Sequence, residues 1–149
     1  MVNFKTGNLL EDQSDALVNS VNCVGIMGKG LALHFKLRYV PMFVEYQQVC
    51  ADKALKPGMV WPWLTGELQP RVVFNVATKD HWRGDSKLAW VKQGLDELLK
   101  QVKEYKVKSV ALPLLGCGLG GLDKVLVQQM TTYTASRLPS VEWNIYGAE

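Results

Sequence analysis

Histidine is scarce in this sequence. Only His34 and His81 occur in 149 residues, too few and too far apart for a histidine-based zinc cluster, so no metal is expected. Three cysteines, Cys23, Cys50 and Cys117, lie far apart and form no C-x-x-C. Their odd number argues against a disulfide framework and fits a reduced, cytoplasmic compartment. No window reaches eighteen consecutive apolar residues, so no membrane-spanning helix and no membrane partner are expected. The first residues read as a strand containing Lys5, with no long apolar segment, so no signal peptide is expected. An excess of one charge is missing too: 17 basic against 14 acidic residues leave +3. That balance permits a nucleic-acid partner without requiring one. Repeats, linkers and low-complexity tracts are absent. What remains is a chain that is 48% hydrophobic and 21% charged, which predicts one globular domain over residues 1–149.

The densest information lies between Asn19 and Ala32, in NSVNCVGIMGKGLA. An apolar run, Ala16-Leu17-Val18, precedes it and reads as a buried strand. Two amides, Asn19 and Asn22, then sit three apart. Gly25, Gly28 and Gly30 follow within six residues, and the chain turns helix-like at Leu31. Glycines let backbone N–H groups approach a phosphate, and a helix start adds partial positive charge. Amide side chains both donate and accept, which suits sugar hydroxyls. Asn22, nearer the loop, is the expected ligand contact. Asn19 is expected inside the strand, bonding to backbone.

Taken in order, strands are predicted over residues 2–6, 16–21, 59–64, 72–77, 109–114 and 141–146. Helices are predicted over 31–39, 42–54 with Pro41 as the break, from Ser86 as N-cap through Val102, and over 122–136. In the first of these Leu31, Phe35 and Leu37 supply the apolar spacing. Alternating strands and helices predict an α/β fold with a mixed or mostly parallel sheet and helices on both faces. Three polar or glycine-rich segments follow strands: residues 22–30, 78–84 and 116–121. If those strands are parallel, all three segments meet at one sheet edge, where such sheets hold ligands.

Gly116-Cys117-Gly118-Leu119-Gly120-Gly121 matches G-x-G-x-x-G between a strand and a helix. A full dinucleotide unit is rejected because only 28 residues follow the motif. A phosphate-cradling loop survives, favoured over a plain tight turn. Gly28-Lys29 fails as a nucleotide P-loop, since Gly30 stands where Ser or Thr is required. Lys79, just past a buried strand, is a candidate nucleophile or base, although a surface lysine is the commoner role. Trp82, Arg83 and Lys87 offer contacts to a base and to phosphates.

These motifs resemble the macro domain, the ADP-ribose-binding fold, and within it the DarG-type bacterial DNA ADP-ribosyl glycohydrolases. The resemblance rests on residues 7–10, on 16–22, on 24–30, on Thr78-Lys79 with His81-Trp82, and on 115–122. It implies a three-layer α/β/α fold with a mixed central sheet. It also implies hydrolysis of the N-glycosidic bond between ADP-ribose and a thymine base of single-stranded DNA, without a cofactor. Lys79 and Asn22 would be catalytic. Asn8 and Leu9 would hold the adenine end. Ser20, Val21, Asn22, Gly28, Lys29, Gly30 and Thr78 would hold ADP-ribose from one side. Leu115, Gly116, Cys117, Gly118, Leu119 and Gly120 would hold it from the other. His81, Trp82 and Arg83 would meet DNA. A monomer paired functionally with a DarT-like toxin is implied. The related terminal ADP-ribose protein glycohydrolase carries an aspartate where this chain has Gly120. Its absence weakens a glutamyl-ester hydrolase; that activity and a non-catalytic ADP-ribose reader are the competing readings.

Overall fold

The structure, a computed structural model, describes residues 1–147. Strand β2 (Ala16–Val21) and strand β4 (Val72–Ala77) are built almost wholly from apolar and β-branched residues, and all of β4 is buried. A strand sends alternate side chains to opposite faces. Ala16, Val18, Val72, Phe74 and Val76 therefore enter one core layer, and Leu17, Val21, Val73 and Ala77 the other. Two apolar faces need two helical covers. Helices α3 (Leu88–Glu104) and α4 (Lys124–Ser136) cover the first, through Val91, Leu95, Leu98, Val102 and Val127. Helices α1 (Gly30–Arg38) and α2 (Val40–Ala51) cover the second, through Phe35, Met42, Tyr46 and Cys50. The result is the expected three-layer α/β/α arrangement.

The remaining strands are β1 (Val2–Lys5), β3 (Val60–Leu64), β5 (Ser109–Pro113) and β6 (Glu142–Tyr146). The sheet order is β1-β6-β5-β2-β4-β3. Every neighbouring pair is parallel except β3 with β4. Pro62 is tolerated in β3 because that strand is an edge. Strand β2 has β4 on one side and β5 on the other. The connection through α3 thus carries the chain across β2, and the strand order reverses there. A crevice opens beyond the carboxyl ends at such a point.

Several local expectations need correction. Ser86 does not cap α3: Lys87 occupies that position and makes no side-chain cap bond. Ser86 is instead buried beneath the second glycine loop. Pro41 sits in the first turn of α2, where its missing N–H costs nothing, so it starts that helix. Leu37 is 67% exposed, and α1 is anchored by the fully buried Phe35, with Leu31 and Ala32 packing partly buried against the same core. Helix α4 begins at Lys124, because Asp123 caps it by accepting from the Leu126 N–H. Asn19 bonds a side chain and not backbone: its amide donates to Asn75 Oδ1 across the β2–β4 pair at 3.1 Å. Residues 148 and 149 of the expected domain lie outside the described residues.

Candidate active site

Strands β2, β4 and β5 are parallel and adjacent, so the segments that follow them converge. They enclose a cleft of about 500 Å³, a size typical of small-molecule sites. Its first wall is the 22–30 loop. Asn22 shapes that loop from inside: Oδ1 accepts from the N–H groups of Val24 at 3.1 Å and Ile26 at 3.4 Å and from the Tyr46 hydroxyl at 2.8 Å. Its Nδ2 donates to the Ile26 carbonyl at 2.7 Å. One Nδ2 hydrogen is left for a ligand. Burial pushes the Tyr46 phenol far above its ordinary range, which keeps it a donor. The loop ends at the N-terminus of α1, where no side chain caps the helix.

The second wall is the 114–121 loop. Gly116 has φ +78°, and a Cβ there would lie 2.8 Å from Leu122 and 3.1 Å from Ser86. At Gly120 a Cβ would collide with Ser86 Oγ and with the Gly116 carbonyl oxygen. The Ser86 N–H donates to the Gly120 carbonyl at 3.1 Å, which pins the loop from below. A Cβ on Gly30 would lie 3.8 Å from Leu119, so the two loops face each other closely. Among the described residues, the N–H groups of Gly28, Lys29, Gly30, Gly118, Leu119 and Gly120 donate to no protein acceptor. Two opposed sets of open backbone donors, one of them at a helix start, form a ready anion cradle.

The third wall follows β4. Thr78 is buried and its hydroxyl pairs with Ser20 at 2.6 Å. Lys79 is half-buried, and its Nζ donates to the Trp82 carbonyl at 3.4 Å. Among the described residues it joins no salt bridge. Trp82 lines the mouth and is 39% exposed. The His81 ring stacks on it at 5.5 Å, and the Arg83 guanidinium lies 4.6 Å from its centre.

The cleft brings together Ser20, Val21, Asn22, Gly28, Lys29, Gly30, Thr78, Lys79, Trp82, Gly116, Gly118, Leu119 and Gly120. It does not bring in Asn8, Leu9, Leu115 or Cys117. The Asn8 side chain caps the short 3-10 turn at Leu9–Glu11, and Leu9 and Leu115 are core residues. Burial pushes the Cys117 thiol up, so no thiolate forms there at neutral pH. His81 and Arg83 stand outside the lining on the same rim as Trp82. Ser86, Ile26, Leu31, Ala32, Pro113 and Leu114 also line the cleft and were not legible as site residues in the sequence. Ser86 carried a signal that was read as a helix cap. The ionisable side chains that line the cleft are Lys29 and Lys79, and no Asp, Glu, His or Cys joins them among the described residues.

A three-layer fold with glycine loops at the carboxyl edge of β2 and β5 defines a class of ligand-binding domain. The macro domain family model matches residues 18–131, and the chain belongs to that family. It is 44% identical over 147 residues to the DNA ADP-ribosyl glycohydrolase of Mycobacterium tuberculosis, covering 98% of this chain and 42% of that relative. The chain thus spans less than half the length of the curated relatives it matches. Among solved structures it is similar to the macrodomain of Mycobacterium tuberculosis DarG. The TM-score is 0.97 at 43% identity, covering 100% of this chain and 99% of that one. It is also similar to Thermosipho africanus DarTG in complex with ADP-ribose, with TM-score 0.86 and 29% identity, covering 97% of this chain and 41% of that one.

Proposed function

We propose that this chain binds ADP-ribose in the cleft and hydrolyses its N-glycosidic bond to thymine bases of DNA, with Lys79 as the catalytic residue. One observation carries the reading. The two ionisable groups that line the cleft are lysines, which makes them the candidates for proton transfer or nucleophilic attack. Lys29 is exposed at the start of α1, beside the open amides that suit a pyrophosphate. Lys79 is half-buried next to the Ser20–Thr78 pair and Asn22, which suit the distal ribose. In the reaction, water adds to the anomeric carbon of that ribose and the carbon–nitrogen bond breaks. The base leaves with the proton that water loses.

The similarity to DarG macrodomains supports the DNA substrate, and a DarT-type transferase as its source is part of the same proposal. The crowding at Gly120 argues against a lysine–aspartate pair there and so against the glutamyl-ester reading.

The test is a single-stranded oligonucleotide carrying one ADP-ribosyl-thymidine, followed by gel shift and by free ADP-ribose. Wild type is expected to release ADP-ribose. Lys79→Ala is expected to lose at least about a hundredfold in rate. Its one long hydrogen bond and the lack of an ion pair among the described residues make a stability change beyond about 0.5 kcal/mol unexpected, and ADP-ribose is expected still to bind. Equal turnover by the variant refutes the assignment of Lys79. Binding of ADP-ribose with no release from DNA refutes the DNA hydrolase.

A further inference from the structure

We infer that Trp82 is the platform on which the departing nucleobase stacks, so that the cleft selects an aromatic leaving group. This rests on the hydrolase reading above and adds to it which residue reads the far side of the scissile bond. The placement is the first argument. Trp82 follows Lys79 by three residues in the same loop, and its carbonyl accepts from the lysine ammonium. Lys79 and Trp82 line the same cleft, so the ring is at hand for a group that leaves from beside Lys79. Exposure is the second. Of the five tryptophans, Trp143 is buried and Trp61, Trp63 and Trp90 are half-buried, whereas Trp82 opens to solvent while lining the cleft. Two further exposed apolar side chains, Ile26 at 42% and Leu119 at 64%, line the same cleft. Exposed apolar side chains that line a cleft alongside open amides fit a ligand with a flat, weakly polar part.

Rigidity is the third argument. The His81 Nδ1 accepts from the Arg83 N–H at 3.1 Å, and the Gly84 N–H donates to the His81 carbonyl at 3.0 Å. The Asp80 carbonyl accepts from the Cys23 N–H at 2.9 Å, tying the rim to the first loop. These bonds order the loop backbone that carries Trp82, and the His81 ring stacks on the indole, so less freedom is lost when a base stacks there. The Arg83 guanidinium lies over the ring with no carboxylate partner among the described residues. A base arriving on the ring displaces it, and it is then free to meet a neighbouring phosphate.

Base stacking on an aromatic side chain corresponds to a loss of roughly five- to a hundredfold on truncation. The experiment compares wild type, Trp82→Ala and Trp82→Phe on the oligonucleotide carrying ADP-ribosyl-thymidine, with ADP-ribose affinity measured by calorimetry for each. Trp82→Ala is expected to lower kcat/KM by about tenfold or more, and Trp82→Phe to restore most of it. ADP-ribose affinity is expected to stay within about twofold in both. Trp82→Ala turning over as wild type overturns the platform. So does a loss of ADP-ribose affinity that matches the loss of turnover, since the ring would then serve the ADP-ribose pocket. A wild-type chain that releases nothing overturns the hydrolase reading and the platform with it; variants that turn over as wild type does overturn the platform alone.

Discussion

A side chain at position 120 has nowhere to go. Its Cβ would meet Ser86 Oγ on one side and the Gly116 carbonyl on the other, and the Gly116 carbonyl is held by the Leu122 N–H at 3.0 Å. An aspartate placed there displaces the loop before it adds any chemistry. Gly120→Asp is therefore expected to cost about 1–3 kcal/mol by overpacking, read as a lower urea midpoint, and to weaken ADP-ribose binding in calorimetry. Pairing it with Ser86→Gly is expected to recover only part of the loss, since the Gly116 carbonyl remains. Full stability in the single variant would show that the loop yields freely. The residue scale is also where the sequence was least legible. Glycine density announced a loop, but not which glycine lacks room. Asn19 read as a backbone partner because nothing in the sequence pairs positions 19 and 75; only the β2–β4 register brings them together. Ser86 has the chemistry of a cap, and the buried space under Gly120 claimed it instead.

Among the elements, β1 and β6 depend on one buried carboxylate. Asp12 follows the short turn at Leu9–Glu11 and accepts from the Ser14 N–H at 2.9 Å, the Ser14 hydroxyl at 2.5 Å and the Tyr146 hydroxyl at 2.6 Å. Burial of the carboxyl raises its pKa. The bonds from Ser14 and Tyr146, with the charge of Lys5, outweigh that and leave it lowered. A carboxylate whose folded pKa lies below its unfolded value stabilises fully above the unfolded value, near 3.9, and loses that contribution as pH falls through the folded one. Asp12→Asn is expected to lower stability at pH 7 by about 1–3 kcal/mol. Its gap to wild type should narrow below about pH 4. Urea midpoints across pH 7 to pH 3 check this, and a gap independent of pH would remove the carboxylate from the account. Elements with strong periodicity were legible: of the stripe Leu88, Val91, Leu95, Leu98, Leu99 and Val102, the last five form the buried face of α3, while Leu88, at the helix start, is exposed. Helix α1 was harder to read, since its nine residues bury Phe35 alone and its N-terminus serves the cleft.

At the scale of the whole molecule, the cleft belongs to no single unit of chain. Its walls come from the ends of β2, β4 and β5, which lie side by side only because the chain crosses β2 between β4 and β5. Alternation of strands and helices made the convergence legible on condition of parallel strands, but strand order is a matter of packing between distant segments. This origin has a measurable consequence. A ligand bound to the open amides of the 28–30 and 118–120 segments ties together loops from strands on both sides of the crossover. Unfolding must then release the ligand, so under the proposed function ADP-ribose at a hundred times its dissociation constant is expected to add about 2.7 kcal/mol to the folded state. For a chain of this length that is a rise in Tm of roughly 5–10 °C. Hydrogen exchange should slow in both amide segments at once, because each gains an acceptor only in the complex. Lys79→Ala should show the same rise, since its ammonium is assigned to chemistry and the amides to binding. Protection confined to one segment would mean that the ligand uses one wall, and the cleft would have to be read as a groove along α1.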